Sequence, residues 1–358
     1  MITRRSTLVK LAMATTLAFF VFLHVLLPGL FSHGRLFYNQ ARHTVDFARF
    51  FENLDKYAID APLIKQKYKT ERAVQYSSNE RFFLFSKEYL ENVLDIPDTT
   101  VEKFKQSHHG VVHEYIPDLL QNAKVDTFGS IRRTSPDWNQ YVTSKGYVLI
   151  GGGKYSWLSY LVIKQIRASG GVLPAEVFIP SQAEYEARFC EEILPKLNAR
   201  CNVLDASIAA TLKTKFDLGG YQFKMLAVLT SKFGNVLYLD LDLFPTTNVE
   251  YLFESQLFKE KGLIIWPDNW ARTTNPKFHE IAEFPVLENK IKYSEYDKQH
   301  AGPSGKLRPL NEFTFKDLNF HDFENALPNP SSEAGVLMIN KTSHVRTMLL
   351  ALYYNIYG

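Results

Sequence analysis

The stretch Asn235 to Asn248, NVLYLDLDLFPTTN, constrains this chain more than any other. Val236, Leu237, Tyr238 and Leu239 form a short apolar run of the kind that makes a strand buried on both faces, and it ends abruptly in two acids, Asp240 and Asp242. Open α/β sheets bind ligands in the crevice beyond the carboxyl ends of their strands, so both carboxylates are expected where a ligand sits. One residue apart at a turn, they suit a hard divalent cation that keeps some water and takes phosphate oxygens. An Asp-x-Asp site of this kind fits a diphosphate ligand. The same acids also suit a plain turn before Pro245, where aspartate is common for its own hydrogen-bonding reasons.

An alternation of strands and helices leads up to that stretch. Tyr147 to Ile150 reads as a strand, Gly151, Gly152, Gly153, Lys154 and Tyr155 as a tight loop, and Ser156 to Ser169 as a helix closed by Gly170 and Gly171. Glycines in such a loop let backbone N–H groups approach phosphate or ribose. The spacing matches neither the dinucleotide fingerprint nor the P-loop, and tight-turn packing explains the glycines equally well. Glu176 to Ile179 reads as a second strand, Gln182 to Leu197 as a charged amphipathic helix, Cys201 to Leu204 as a third strand, and Tyr221 to Lys232 as a helix entering the Asp-x-Asp strand. This repetition predicts an α/β domain, beginning near Gly146, with a mainly parallel sheet covered on both faces.

Beyond the acids, Leu263 to Ile265 is a further strand, ending in Trp266, Pro267, Asp268, Asn269 and Trp270. A carboxylate between two indoles suits a sugar-binding cleft, with core packing of the rings as the alternative. Arg272 is placed to pair with phosphate or with Asp268. Lys290 to Asn319 is polar and reads as a long loop that orders over a ligand. Glu333, Ala334 and Gly335 precede an apolar strand, Val336 to Ile339, and put a second acid at a candidate reacting centre. Asn340, Lys341 and Thr342 form a glycosylation sequon that abuts this strand and is expected to be unused.

The amino-terminal part is of another kind. Leu11 to Phe31 is a run of 21 residues without Lys, Arg, Asp or Glu, long enough to cross a bilayer as a helix. Arg4, Arg5 and Lys10 before it favour a cytosolic amino terminus. The expected layout is a cytosolic tail at 1–10, a signal anchor at 11–31, a lumenal stem of short helices at 32–145 and a catalytic domain at 146–358. His108 and His109 are adjacent, do not face the same way on a helix, and read as surface residues. A formal net charge of +3 over 358 residues gives no reason to invoke nucleic acid. Cys190 and Cys201 are the only cysteines, which excludes a disulfide-rich scaffold and a four-cysteine zinc site; the two either pair locally or stay as buried thiols.

Five ordered blocks carry a resemblance: YVLIGGGKYSWL, AEVFIPSQAEYEARFCEEILPKLNARC, GYQFKMLAVLTSKFGNVLYLDLDLFP, LIIWPDNWARTTNP and EAGVLMINKTSHVRTMLLALYYNIYG. Together with the amino-terminal anchor, they resemble the fungal Golgi mannosyltransferases that add α-1,2-linked mannose branches to the N-glycan outer chain, glycosyltransferase family 71. The resemblance implies a GT-A-like nucleotide-sugar transferase fold, GDP-mannose as donor, a divalent metal such as Mn2+, a retaining transfer to a mannan or N-glycan acceptor, and a Golgi membrane location with the domain in the lumen. On that pattern Asp240 and Asp242 hold the metal, Lys224 faces the donor's phosphates, and Gly151 to Tyr155 line the nucleotide pocket. Asp268 and Glu333 fall at acceptor or sugar contacts, with Glu333 closest to the transfer step.

This chain departs from the family pattern at Leu243, where an Asn commonly follows the second acid, and at Val336, where a Gln is usual. It also ends at Gly358, where the family's domain continues, so the domain is expected to be incomplete at its carboxyl end. Two further readings stand beside transfer: an inactive, membrane-tethered glycan-binding remnant, and a phosphatase of haloacid dehalogenase type. The phosphatase requires Thr or Val two residues after the second acid, where Phe244 stands.

Overall fold

The computed structural model describes residues 54–59, 83–93, 96–121, 143–204 and 219–357. The expected membrane anchor lies outside them, and among the described residues no helix is long and apolar enough to cross a membrane.

Among the described residues six strands form one sheet: β1 (Lys145–Ile150), β2 (Ala175–Ile179), β3 (Ala199–Val203), β4 (Asn235–Leu239), β5 (Leu263–Pro267) and β6 (Ser332–Asn340), in the spatial order β3-β2-β1-β4-β6-β5. The β1/β2, β1/β4 and β2/β3 pairs are parallel, as the strand–helix alternation predicts. β6 is the exception: it lies between β4 and β5 and runs antiparallel to both. The central strands are buried along their length, which is why they read as continuous apolar runs.

Alternate residues of each strand enter opposite cores, as the two-residue period of a strand requires. Val148, Val236, Tyr238 and Ile339 pack on one face with Leu226 to Leu229 of helix α5 (Phe223–Thr230) and with Met348, Leu349, Leu352 and Tyr353 of helix α9 (Lys341–Tyr357). Tyr147, Leu149, Leu237, Leu239 and Met338 pack on the other face with Val162, Ile163 and Ile166 of helix α4 (Ser156–Ala168). Much of the region read as a stem is built into the first of these cores. Leu54, Val111, Tyr115, Ile116 and Leu119 are buried in it. They come from the segment that follows helix α1 (Lys87–Val93) and comprises α2 (Asp98–His109), a wide π-helical stretch (Gly110–Tyr115) and α3 (Ile116–Gln121), and from the turn at Leu54. His108 belongs to this packing: it is buried, with its Nδ1 2.6 Å from the Tyr354 hydroxyl, and is not the surface residue expected from its sequence.

Two expectations change in physical detail. The run from Gln182 to Leu197 is not one amphipathic helix but a single turn at Gln182–Glu184, a wide π-helical stretch at Arg188–Ile193 and a tighter turn at Leu194–Leu197. Pro195 withholds a backbone donor there, and Asn198 leaves with a left-handed φ of 49°. A disulfide between Cys190 and Cys201 ties this segment to β3, which resolves the cysteine alternatives in favour of pairing. In the sequon, Asn340 Nδ2 donates to Asn235 Oδ1 at 2.9 Å and Lys341 is buried, so the asparagine amide is already engaged inside the fold.

The segment from Lys290 onward is more than a loop. It holds helix α8 (Glu295–Gln299), capped by Ser294, and is pinned from within by buried Lys290, whose Nζ lies 2.8 Å from Asp297 Oδ2 and 3.3 Å from Asp322 Oδ2. Burial raises the Asp322 carboxyl above its ordinary value, and the charge of Lys290 offsets only part of that rise. Removing one member of such a cluster strands the others uncompensated, so Lys290→Ala is expected to cost about 3–5 kcal/mol of stability. Denaturant titration checks this; a loss below about 1 kcal/mol, the range of an exposed ion pair, would contradict it.

Candidate active site

The chain steps from β1 outward through β2 to β3, then returns to place β4 on the other side of β1. That reversal is the topological switch point of the sheet, where α/β folds open a ligand crevice beyond the strand ends. The glycine loop after β1 and the acids after β4 therefore flank one crevice.

Because β6 runs against β4, its amino-terminal end lies beside the carboxyl-terminal end of β4, with Leu239 opposite Val336. The Asp240 N–H donates to Gly335 O at 2.7 Å, continuing the ladder one step past the strand. The Asp240 carboxylate is held on both oxygens: Tyr238 OH donates to Oδ1 at 2.6 Å, and Lys224 Nζ donates to Oδ2 at 2.6 Å. Lys224, in the first turn of α5, also donates to Ala334 O at 3.2 Å and lies over the rings of Tyr221 and Tyr238, 5.1 and 5.7 Å from their centroids. Burial, reinforced by the bond to Asp240 and the charges of Asp240 and Asp242, pushes the Tyr238 hydroxyl up, so it stays a proton donor to the carboxylate. Asp242 is exposed at the turn.

Glu333 joins this group through Gly335, whose N–H donates to Glu333 Oε1 at 2.6 Å. A Cβ at Gly335 would stand 2.9 Å from Glu333 Oε1, 3.1 Å from Leu243 Cδ1 and 3.3 Å from Asp240 Oδ2. The glycine therefore sits between the two carboxylates and lets them close on one spot. Asp240, Lys224 and Glu333, expected from the sequence, are brought together here, and Gly335 makes the close approach read from its place after Glu333; Tyr238, Tyr221 and the Ala334 carbonyl were not expected. Tyr238 carried a signal, since it lies two residues before Asp240 on the same strand face.

In the glycine loop, packing accounts for part of the pattern. A Cβ at Gly151 would stand 2.3 Å from Ser159 Oγ and 2.7 Å from Val177 Cγ1, while Gly152 and Gly153 have φ of 103° and 50°. The loop delivers the chain to the start of α4, where Ser156 is buried and its Oγ has no hydrogen-bond partner among the described residues. Helix-start N–H groups and an unpaired hydroxyl suit an anion. Lys154 and Tyr155 are exposed, the Lys154 Nζ 5.0 Å from the Tyr155 ring centroid.

Asp268 and Arg272 form a separate cluster at the end of β5, with β6 between it and β4. The Asp268 N–H donates to Ser331 O at 2.7 Å, and its Oδ1 accepts from the Asn269 N–H at 2.6 Å. Trp266 packs partly into the core and Trp270 is exposed, so the two rings divide between the two readings made of them. Arg272 does not pair with Asp268. Its Nε donates to Pro328 O at 2.6 Å and a terminal nitrogen to Ser332 Oγ at 2.9 Å, which fixes the entrance of β6 one residue before Glu333.

Residues 144–358 match the family model described as "Mannosyltransferase putative". The chain belongs to this mannosyltransferase family. It is 58% identical over 87% of its length to "Alpha-1,2-mannosyltransferase MNN2" of Candida albicans, covering 52% of that protein. It is 35% identical over 86% of its length to "Alpha-1,2-mannosyltransferase MNN23" of the same organism, covering 48% of it, and 35% identical over 65% of its length to "Alpha-1,2-mannosyltransferase MNN2" of Saccharomyces cerevisiae, covering 40% of it. The chain thus spans about half the length of the curated mannosyltransferases it matches. Solved structures of the galactosyltransferase LgtC align over 60% of this chain and 66% of theirs at 16% identity and a TM-score of 0.32, a likeness too slight to carry a structural argument.

In this member of the mannosyltransferase family, Gly335 is the position where a side chain would meet both carboxylates at once. Gly335→Ala is expected to destabilise the domain by about 1–3 kcal/mol, the usual cost of overpacking, because both carboxylates must shift. Thermal denaturation reads the loss; an unchanged melting temperature would mean that the two acids do not close around this residue.

Proposed function

We propose that the chain carries the donor site of a metal-dependent, retaining transfer of mannose from GDP-mannose to a mannan or N-glycan acceptor, forming α-1,2-linked branches. The observation that carries this reading is the Asp240–Lys224 pair beside Glu333, at the sheet's switch point. Asp240 and Asp242 would hold a divalent cation such as Mn2+: each oxygen of Asp240 keeps a second lone pair beyond its bond to Tyr238 or Lys224, and the all-oxygen donor set suits a hard ion. When bound, such an ion neutralises the diphosphate of the departing GDP.

The chain's own groups complete the chemistry. Lys224 offers a positive charge where negative charge develops on the leaving diphosphate, and Tyr238 keeps Asp240 oriented as the lysine turns toward phosphate. Glu333 would supply the carboxylate that stabilises the positive charge growing on the sugar ring. Gly151 to Tyr155 and the start of α4 supply N–H groups for the nucleotide. Asp268 and the exposed Trp270 would face the acceptor, and Arg272 would hold the loop that positions Glu333. The apolar run at 11–31 fits a single-pass anchor in the Golgi membrane with the domain in the lumen, and the Cys190–Cys201 disulfide suits that oxidising compartment.

A transfer assay with GDP-mannose and an α-mannoside acceptor tests the reading. Asp240→Ala, Asp242→Ala and chelation are each expected to lower turnover by about two orders of magnitude or more, and Lys224→Ala by a similar factor. Full activity in Asp240→Ala or under chelation would overturn it. Leu243, an apolar side chain packed against Gly335, favours one competing reading, a glycan-binding derivative without transfer. That reading predicts mannan binding with no turnover in the same preparation.

A further inference from the structure

Outside the donor crevice, two imidazoles and a carboxylate converge. His109 closes α2, and His113 follows four residues later, within the wide stretch Gly110–Tyr115. His109 Nδ1 lies 2.8 Å from Glu283 Oε1, and His113 Nε2 lies 2.8 Å from Glu283 Oε2. The ring centroids are 4.5 Å apart, and the candidate ligand atoms of the three side chains all lie within 4.8 Å of one another. Glu283 is 174 and 170 residues away in sequence, so the arrangement is made by the fold and not by one helix.

The backbone at Glu283 favours some other residue. Helix α7 (Lys277–Ile281) ends in a left-handed turn: the Glu283 N–H donates to Glu280 O at 3.2 Å and the Phe284 N–H to His279 O at 2.9 Å. Glycine ordinarily fills the left-handed position of this motif, and here Glu283 takes it with a φ of 53°. A side chain kept at a conformational cost, and aimed at two histidines, points from an outlier to a function.

We propose that His109, His113 and Glu283 form a binding site for a divalent metal of the zinc class, distinct from the Asp240–Asp242 site and joining α2 to the end of α7. The ligand set of two imidazoles and one carboxylate, with a fourth position left to water, is one that zinc accepts. Bond lengths of about 2.0–2.2 Å in a tetrahedron separate ligand atoms by about 3.3–3.6 Å, so each 2.8 Å contact must open by about 0.5–0.8 Å. All three side chains retain solvent contact and can make that adjustment by rotation. On binding, each neutral ring carries its proton on the nitrogen facing away from the ion. The interface so stapled already holds Lys277 Nζ 2.8 Å from Asp98 Oδ1 and Lys105 Nζ 4.0 Å from Glu280 Oε1.

The test uses the purified full chain after chelator treatment, titrated with Zn2+ by calorimetry and with Co2+ by visible absorption. One zinc per chain is expected at this site, with a tetrahedral cobalt spectrum and a raised melting temperature. Affinity should fall about tenfold or more in each of His109→Ala, His113→Ala and Glu283→Gln, since loss of even an outer-shell partner commonly costs that much. The double variant Asp240→Ala/Asp242→Ala should keep this zinc and its cobalt spectrum. His113→Gln keeps a polar side chain of similar reach and guards against misfolding; with an unchanged metal-free melting temperature it too should lose the zinc. Absence of zinc binding by wild-type chain, equal binding in the histidine variants, or loss in the Asp240/Asp242 variant would each overturn the proposal.

Discussion

The antiparallel pairing of β6 with β4 is the constraint on which the candidate site depends. Had β6 run parallel to its neighbours, its start would lie at the opposite edge of the sheet, about a strand length of 15–20 Å away. Running against them, it lays Gly335 against Asp240 through a 2.7 Å backbone hydrogen bond and brings Glu333 to the mouth of the crevice. Chemistry-bearing residues almost a hundred positions apart in sequence thus meet through one strand's direction. Arg272 reinforces the arrangement by tying the loop before β6 to the end of β5.

The electrostatics of the group follow from that geometry. Asp240 and Lys224 are both only partly exposed, so their attraction is less screened than that of a surface pair. Buried Tyr238 donates to the carboxylate's other oxygen, and each oxygen keeps a second lone pair. An incoming anion draws on Lys224, and an incoming cation on Asp240. The pair is therefore a preorganised dipole whose halves suit the two halves of a metal–diphosphate ligand.

Much of this was legible in the sequence where the determinants are local. The apolar run before Asp240 and the strand–helix alternation pointed to the core strands and their order, because burial on both faces leaves short continuous apolar runs bounded by turn residues. Strand direction was not legible for β6, since it depends on pairing with distant chain and not on composition. The segment 182–197 misled because its apolar spacing is helical while Pro195 and the bond from Cys190 to Cys201 break it into turns. Arg272 read as a partner for phosphate or for Asp268; in place of Asp268 it meets the Pro328 carbonyl and the Ser332 hydroxyl, both more than fifty residues away in sequence. His108 and His109 were correctly separated by direction, yet one faces Tyr354 in the core and the other meets Glu283, and neither partner is visible locally.

The most direct measurement of the account is a crystal structure of the chain with GDP and Mn2+. The account predicts manganese bonded to Asp240 and Asp242, the diphosphate within reach of Lys224, and the nucleotide over the glycine loop between the ends of β1 and β4. Nucleotide and metal bound elsewhere, with the Asp240–Lys224 pair left as it is in the free chain, would contradict it.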